Sequence, residues 1–345
     1  MTKQIMVGTV PVGGGAPVTI QSMTNTNTGA AMATAAQICR LEPLGCQIVR
    51  VAVPDMVAAQ AITAIKKMIH IPLVADIHFD YELALAAIAA GCDGVRINPG
   101  NIGDESHVKA VADACKKANV PIRVGVNSGS IEQPIWAKYG GATPEAMVES
   151  ALGHIRLLEK YDFDQICVSL KSSNVRDTIA AYRLMSERCD YPLHLGVTEA
   201  GTMKMGVVKS AIGIGGLLAL GIGDTIRVSL TADPVEEIYA AQDILKAVGL
   251  RKTRPELIAC PTCGRTQINL IGLAKQVEER LKDVEKPITV AVMGCVVNGP
   301  GEARTADVGI AGGVEEGLLF KKGEIVKKVP EDQLVDELFK LIDTL

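Results

Sequence analysis

Residues 48–99, IVRVAVPDMVAAQAITAIKKMIHIPLVADIHFDYELALAAIAAGCDGVRINP, decide the fold. Three short β-branched runs, IVRVAV (48–53), PLVADI (72–77) and GVRINP (94–99), alternate here with helical patterns over 55–69 and 81–90. Strands apolar on both faces and separated by helices belong to a parallel sheet covered on two sides. The unit recurs in both directions: TIQSMT (19–24) precedes it, and PIRVGVN (121–127), QICVSLK (165–171), PLHLGVT (192–198) and TIRVSLT (225–231) follow. Further helical patterns cover 145–160 and 235–246. Eight such units in about 240 residues predict a (β/α)8 TIM barrel. A doubly wound open sheet is the competing topology, and a count of eight favours closure.

Past Gly249 the alternation stops at a charged, proline-containing connection over 251–256. The boundary falls there, giving domain 1–250, a substrate-binding barrel, and domain 251–345, a small α/β unit. The second domain reads as a cysteine motif, an amphipathic helix over 269–282 and a strand ITVAVMGC (288–295). A Gly-rich turn, the strand ADVGIAG, a hairpin around Lys322-Gly323 and a helix from Glu331 complete it. The glycine-rich stretch IGIGGLLALGIG (212–223) lacks the preceding strand and turn of a dinucleotide fingerprint and reads as helix packing.

Thirty-five basic residues against 39 acidic ones give a net charge of −4, which argues against a nucleic-acid binder. Aromatics make up 3% of the chain, too few for a base-stacking platform. The longest compact apolar stretch, 210–223, has 14 residues, short of the roughly 18 to 20 that cross a bilayer. No basic segment followed by an apolar run opens the chain, so the expectation is a cytoplasmic protein with no membrane partner.

In a barrel, functional groups sit at the C-terminal ends of the strands. Four strands carry an arginine between β-branched residues: Arg50, Arg96, Arg123 and Arg227. Period-two alternation puts Arg96 with Asn98, Arg123 with Asn127, Arg227 with Ser229 and Lys171 with Ser169 on common faces. A single strand arginine is as readily an internal salt bridge. Five cations on five strands are costly to bury unless an anion compensates them. Arginine's planar fork suits phosphate oxygens, so the expected ligand is a small polyanion, most simply a diphosphate. Asp76 and His78 share a face and fit either an acid/base pair or an internal hydrogen bond. Glu199 ends the seventh run and fits either a proton donor or a counter-ion.

Nine cysteines without a secretion signal are thiols or metal ligands and not a disulfide framework. Six are scattered singly; Cys260 and Cys263 form a C-x2-C pair, and Cys295 follows after 31 intervening residues. No histidine follows His194 and no cysteine follows Cys295, which leaves a closed four-ligand zinc site short of donors. An iron–sulfur cluster on three thiolates, with an exchangeable fourth position, fits better. Glu302, at the end of CVVNGPGE (295–302), is either the carboxylate that a tight turn returns to that metal or an ordinary surface glutamate.

The blocks QSMTNTNT (21–28), IVRVAVP, VADIHFD, VRINPGNIG, RVGVNSGS, SLKSSN, GVTEAG, RVSLTADP, ACPTCGR and CVVNGPGEA follow one another in this order. They resemble the 4-hydroxy-3-methylbut-2-enyl diphosphate synthase family, in its bacterial two-domain form, over nearly the whole chain. Gly29-Ala30 departs from the acidic residue common there, with no expected effect on the chemistry. The resemblance implies a [4Fe–4S] cluster on Cys260, Cys263 and Cys295, with Glu302 as fourth ligand. The cluster domain would resemble a sulfite/nitrite reductase module. It implies 2-C-methyl-D-erythritol 2,4-cyclodiphosphate as substrate and its reductive ring opening and dehydration as reaction. Arg50, Arg96, Asn98, Arg123, Asn127, Ser169, Lys171, Arg227, Ser229 and Asn298 would bind that substrate. Glu199, Glu302, Asp76 and His78 would serve the chemistry. Flavodoxin or ferredoxin would donate electrons to a homodimer in which the cluster domain of one subunit meets the barrel of the other. Two other readings remain: a phosphate-binding barrel enzyme with a structural zinc, and a non-catalytic iron–sulfur carrier.

Overall fold

The computed structural model describes residues 1–345 except 99–100, 252–254, 296–300, 302 and 315, together with the side chain of residue 303. Of the expected site residues, Asn298 and Glu302 lie outside this described set. The described chain divides into two compact units, Met1–Leu250 and Arg251–Leu345.

In the first unit, eight parallel strands form a single sheet among the described residues. They are β3 (Thr19–Met23), β4 (Ile48–Ala52), β5 (Leu73–Asp76), β6 (Gly94–Ile97), β7 (Ile122–Asn127), β8 (Ile166–Lys171), β9 (His194–Leu195) and β10 (Thr225–Ile226). Sequential neighbours pair from β3 to β8, β10 pairs with both β3 and β9, and a parallel bridge between Val168 and Leu193 closes the ring. This is the TIM barrel.

The barrel wall separates two chemistries by strand periodicity. Outward residues such as Val49, Val51, Ile97, Val124 and Val168 join one apolar core with the surrounding helices. The helices start where short polar side chains cap them. Asp55 accepts from the amide of Ala58 before α2 (Met56–Lys66), Asp80 from Glu82 before α3 (Tyr81–Ala89), and Asn174 from Arg176 before α7 (Val175–Ser186). Asp233 accepts from Val235 at the start of α10 (Pro234–Ala247).

The alternation does not announce every element. A hairpin, β1 (Gln4–Val7) and β2 (Val10–Gly13), precedes the barrel and turns at Gly8, whose φ is +57°. Its Ile5, Val7 and Val12 pack on Ile48, Val74 and Cys167, inward residues near the strand starts, and so close the barrel floor. The seventh and eighth runs are regular for only two residues each, although the Arg227 amide still donates to the Leu195 carbonyl. In the glycine-rich stretch, a π-helical turn (Ala211–Gly215) runs into a short helix (Gly216–Ala219). A β-carbon at Gly213 would press within 2.6 Å of Val197, so close packing of this turn on the segment after β9 accounts for that glycine.

The second unit has a five-stranded sheet ordered β11 (Glu256–Ala259), β12 (Thr289–Met293), β13 (Val308–Gly312), β14 (Glu316–Lys321) and β15 (Glu324–Pro330). The first three run parallel, and β14 pairs antiparallel with both β13 and β15. Helices α11 (Leu270–Leu281) and α12 (Leu334–Asp343) bury Leu273, Val277, Leu338 and Ile342 with Val290, Val292 and Ile310 of the sheet. The hairpin at Lys322-Gly323 forms with φ of +50° and +81°, the paired positive values that a tight two-residue turn needs. Strand β11 begins in what the sequence reads as a charged connection.

Candidate functional site

A TIM barrel interior is ordinarily filled by branched apolar residues. Here the inward phase of the strands is polar above an apolar layer at the strand starts. Arg96, Arg123 and Lys171 are each 7% exposed, and Asp76, Ser169, His194, Gln21 and Thr225 are also buried. Arg96 and Arg123 stand opposite one another in the β6–β7 register, and Asp76 stands opposite Arg96 on the other side. Like charges that close call for a compensating anion.

Asp76 supplies part of it. Arg96 Nη1 donates to its Oδ1 at 3.1 Å, Arg50 Nε lies 3.5 Å from Oδ2, and His78 Nε2 lies 3.6 Å from the same oxygen. Burial pushes this carboxyl up, but Arg50, His78 and Arg96 outweigh it and hold it well below the usual carboxylate range. At neutral pH it is a fixed anion and an organiser of two arginines, with no proton to give. Arg50 also donates to the Met23 sulfur from Nε and Nη2, at 3.2 and 3.0 Å. Arg227 Nη2 reaches Glu237 Oε1 at 3.3 Å.

The remaining cations are under-compensated. Arg123 donates from Nη1 to Gln21 Oε1, while its Nε and Nη2 are buried without a partner. Burial lowers it to about 10. Lys171, 7% exposed, stands among arginines. Burial pushes its ammonium well below the ordinary lysine range, and the fields of Arg50, Arg227, Arg123 and Arg96 push the same way. The cup carries excess positive charge aimed at its own centre.

Other expected residues stand at the upper ends of the strands. Asn98 Nδ2 donates to Ser130 Oγ at 3.2 Å, and Ser130 Oγ in turn bonds the backbone of Asn127, tying the loops after β6 and β7 together. Ser169 is buried beside Lys171 on the inward phase of β8. Ser229 is partly exposed beyond β10. The His78 side chain is half exposed. Glu199 is exposed, and its φ of +51° is one that glutamate seldom adopts. Such backbone strain persists where the surroundings over-determine it.

Several contributors carry no motif. Gly125 and Gly196 lie on inward positions: a β-carbon at Gly125 would overlap Arg96 Nε, and one at Gly196 would sit 2.8 Å from Lys171 Nζ. Each leaves the lane in which a cation lies. Their phase in RVGVN and HLGVT is the available signal, since both fall two residues from an inward polar side chain. His194 is fully buried, and burial together with Arg123 and Lys171 keeps its imidazole well below its ordinary value and therefore neutral.

In the second unit, Cys260 and Cys295 follow the ends of the adjacent parallel strands β11 and β12. The Gly294 amide donates to Cys260 Sγ at 3.1 Å. Cys263 is exposed; hydrogen bonds from the Arg265 backbone and guanidinium, and from Thr266, hold its thiol below the ordinary range. The Arg265 guanidinium is raised by its bond to Cys263 and by the fields of Cys263, Cys295 and Cys260, so all three sulfurs act on one cation. Among the described residues no three His, Cys, Asp or Glu side chains converge closely enough to hold a metal ion. As a donor set, soft thiols with an amide donor and a neighbouring cation that favours thiolate fit an iron–sulfur cluster.

Fold and site define a (β/α)8 barrel protein with a cationic cup and a cysteine-bearing α/β companion unit. The family description "GcpE TIM-barrel domain" matches residues 2–242, and "GcpE protein C-terminal domain" matches residues 256–344. The chain belongs to the GcpE family. It is 60% identical over 344 residues to the 4-hydroxy-3-methylbut-2-en-1-yl diphosphate synthase (flavodoxin) of Geobacter sulfurreducens, covering 100% of this chain and 98% of that protein. The protein of the same name from Clostridium perfringens is 61% identical, with 100% and 99% covered. Among solved structures, Yersinia pestis dihydropteroate synthase superposes with a TM-score of 0.50 at 12% identity, covering 72% of this chain and 98% of that one. That likeness shows the barrel fold alone.

Proposed function

We propose that this chain catalyses the reductive ring opening and dehydration of 2-C-methyl-D-erythritol 2,4-cyclodiphosphate to (E)-4-hydroxy-3-methylbut-2-enyl diphosphate in isoprenoid biosynthesis. The observation that carries the reading is the cationic cup: five strand cations, with two Arg123 nitrogens buried without a partner among the described residues and Lys171 set in the fields of four arginines, a charge excess that a bound diphosphate would neutralise. The names of the full-length relatives support the same substrate class and a flavodoxin partner.

In this reading the C2–O bond to phosphate and the C3–OH bond break, two electrons and two protons enter, and water leaves. Arg50, Arg96, Arg123, Lys171 and Arg227 clamp the two phosphates. Asn98, Asn127, Ser169, Ser229 and Asn298 orient the remaining oxygens. Asp76 stays ionised and fixes Arg50 and Arg96 in place. Glu199 and His78 deliver a proton to the departing hydroxyl. Cys260, Cys263, Cys295 and Glu302 would hold a [4Fe–4S] cluster, which when bound supplies electrons singly from flavodoxin or ferredoxin. The enzyme would then be an oxidoreductase acting on CH or CH2 groups, cytoplasmic and homodimeric, with the barrel of one subunit served by the cluster unit of the other.

Anaerobic turnover of the cyclic diphosphate with reduced flavodoxin tests this. The expected result is the linear allylic diphosphate with two reducing equivalents consumed per molecule. Iron-loaded enzyme that binds the cyclic diphosphate and forms no product would overturn it.

A further inference from the structure

Glu237 lies in the first turn of α10, within a helix that the sequence marks only by its apolar periodicity, and it is 4% exposed. A buried carboxylate is costly unless fully engaged. This one is engaged by three residues at once. Ser22 Oγ of β3 donates to Oε2 at 3.3 Å, and the Leu230 amide, in the loop after β10, donates to Oε1 at 3.0 Å. Arg227 Nη2 lies 3.3 and 3.5 Å from the two oxygens.

The location explains the need. Strand β10 keeps regular pairing for two residues only, and the backbone from Arg227 to Leu230 runs on outside any strand. The Glu237 carboxylate receives the Leu230 amide there, so a side chain from the following helix holds the loop that carries Arg227 and Ser229. Its hold on Arg227 is long for a charge-assisted bond and uses one nitrogen, while Arg227 Nε is buried without a partner. The guanidinium is aligned and still has donors to spare.

We propose that Glu237 is a positioning residue for the phosphate clamp. It sets the Arg227 guanidinium and the loop after β10 against β3, and it acts on substrate only through Arg227. The proposal rests on the diphosphate reading of the cup.

A double-mutant cycle on the full-length holoenzyme tests it, with the dissociation constant of pyrophosphate and the KM of the cyclic diphosphate as readouts. Glu237→Gln keeps the size and one acceptor oxygen but removes the charge. It should weaken pyrophosphate binding about tenfold, the effect of one charge-assisted contact, and raise KM with a smaller change in kcat. In an Arg227→Gln background the same substitution should add nothing. Glu237→Asp, which keeps the charge and shortens the reach, goes through the same cycle so that misfolding of one variant leaves the other. A lower melting temperature with unchanged affinity, or effects that simply add in the double variant, would overturn the positioning role. Unchanged pyrophosphate affinity in Arg227→Gln alone would instead overturn the diphosphate reading.

Discussion

The two units solve the burial problem in opposite ways. The second keeps an ordinary apolar core between two helices and a sheet, and its cysteines stand at the strand ends on the edge of that core, Cys260 packed against it and Cys263 exposed. The barrel buries its chemistry at its own centre and transfers the apolar packing to the outer surface of the strands. The cup is therefore preformed and strained by its own charge, while the thiols depend on what they bind. Loss of a ligand group should accordingly be absolute in one unit and graded in the other.

The sharpest break is at the cysteines. Cys260→Ser, Cys263→Ser and Cys295→Ser should each abolish cluster content and reductive turnover, because serine is a poor replacement in soft iron–sulfur coordination. Pyrophosphate affinity should stay at its starting value, since the cations belong to the other unit. Iron analysis and calorimetric titration read both halves, and full iron content in any variant removes that cysteine from the ligand set.

Asp76→Asn comes next. Removing the counter-ion of Arg50 and Arg96 leaves buried charge unpaired, at a cost of about 3–5 kcal/mol. Because the folded carboxyl sits below its unfolded value, its contribution is fully present above about pH 4 and is lost as the pH falls through the folded value. Wild type and variant should thus differ most at neutral pH and converge in strong acid. A constant gap in melting temperature across that range would contradict the ion-pair role.

Lys171→Met should move the two readouts in opposite directions. Relieving four arginine neighbours of a fifth cation should raise the melting temperature, while pyrophosphate affinity falls about ten- to a hundredfold. Because the folded lysine sits well below its unfolded value, the wild-type penalty is full below the folded value, shrinks as the pH rises above it and is gone above about 10. A lower melting temperature in the variant would mean that Lys171 is a structural cation.

The smallest effect belongs to Asp55→Ala, which removes the cap of α2 on the apolar side of the wall. It should cost about 1 kcal/mol of stability and leave pyrophosphate affinity unchanged. A loss of affinity there would show that the outer shell and the cup are not separable.

The barrel is legible because two periods coexist in each unit, and because its inward cations interrupt β-branched runs at a fixed phase. Arg96, Arg123 and Lys171 declare themselves in this way. Their means of accommodation do not. Gly125 and Gly196 act by lacking a side chain, and Met23 by offering sulfur to Arg50, properties no pattern of charge reveals. Glu237 meets partners 215, 10 and 7 residues away, and nothing local distinguishes it from Glu236 beside it. The hairpin over 4–13 has readable alternation, Ile5 and Val7 then Val10 and Val12, but it lies outside the repeating unit. Asp76 shows the limit from the other side: spacing pairs it with His78 as readily for proton transfer as for anchoring, and the two arginines against it are visible only in the structure.

That hairpin floor also governs traffic. With Ile5, Val7 and Val12 packed against the strand starts, the proposed ligand would come and go through the strand-end face. A product that keeps both phosphates would leave by the door its successor must use, and it would compete for the proposed clamp until it had gone. In the proposed clamp, turnover would depend on how readily five cations release an anion as much as on how firmly they seize one, and accumulated linear diphosphate would act as its own brake.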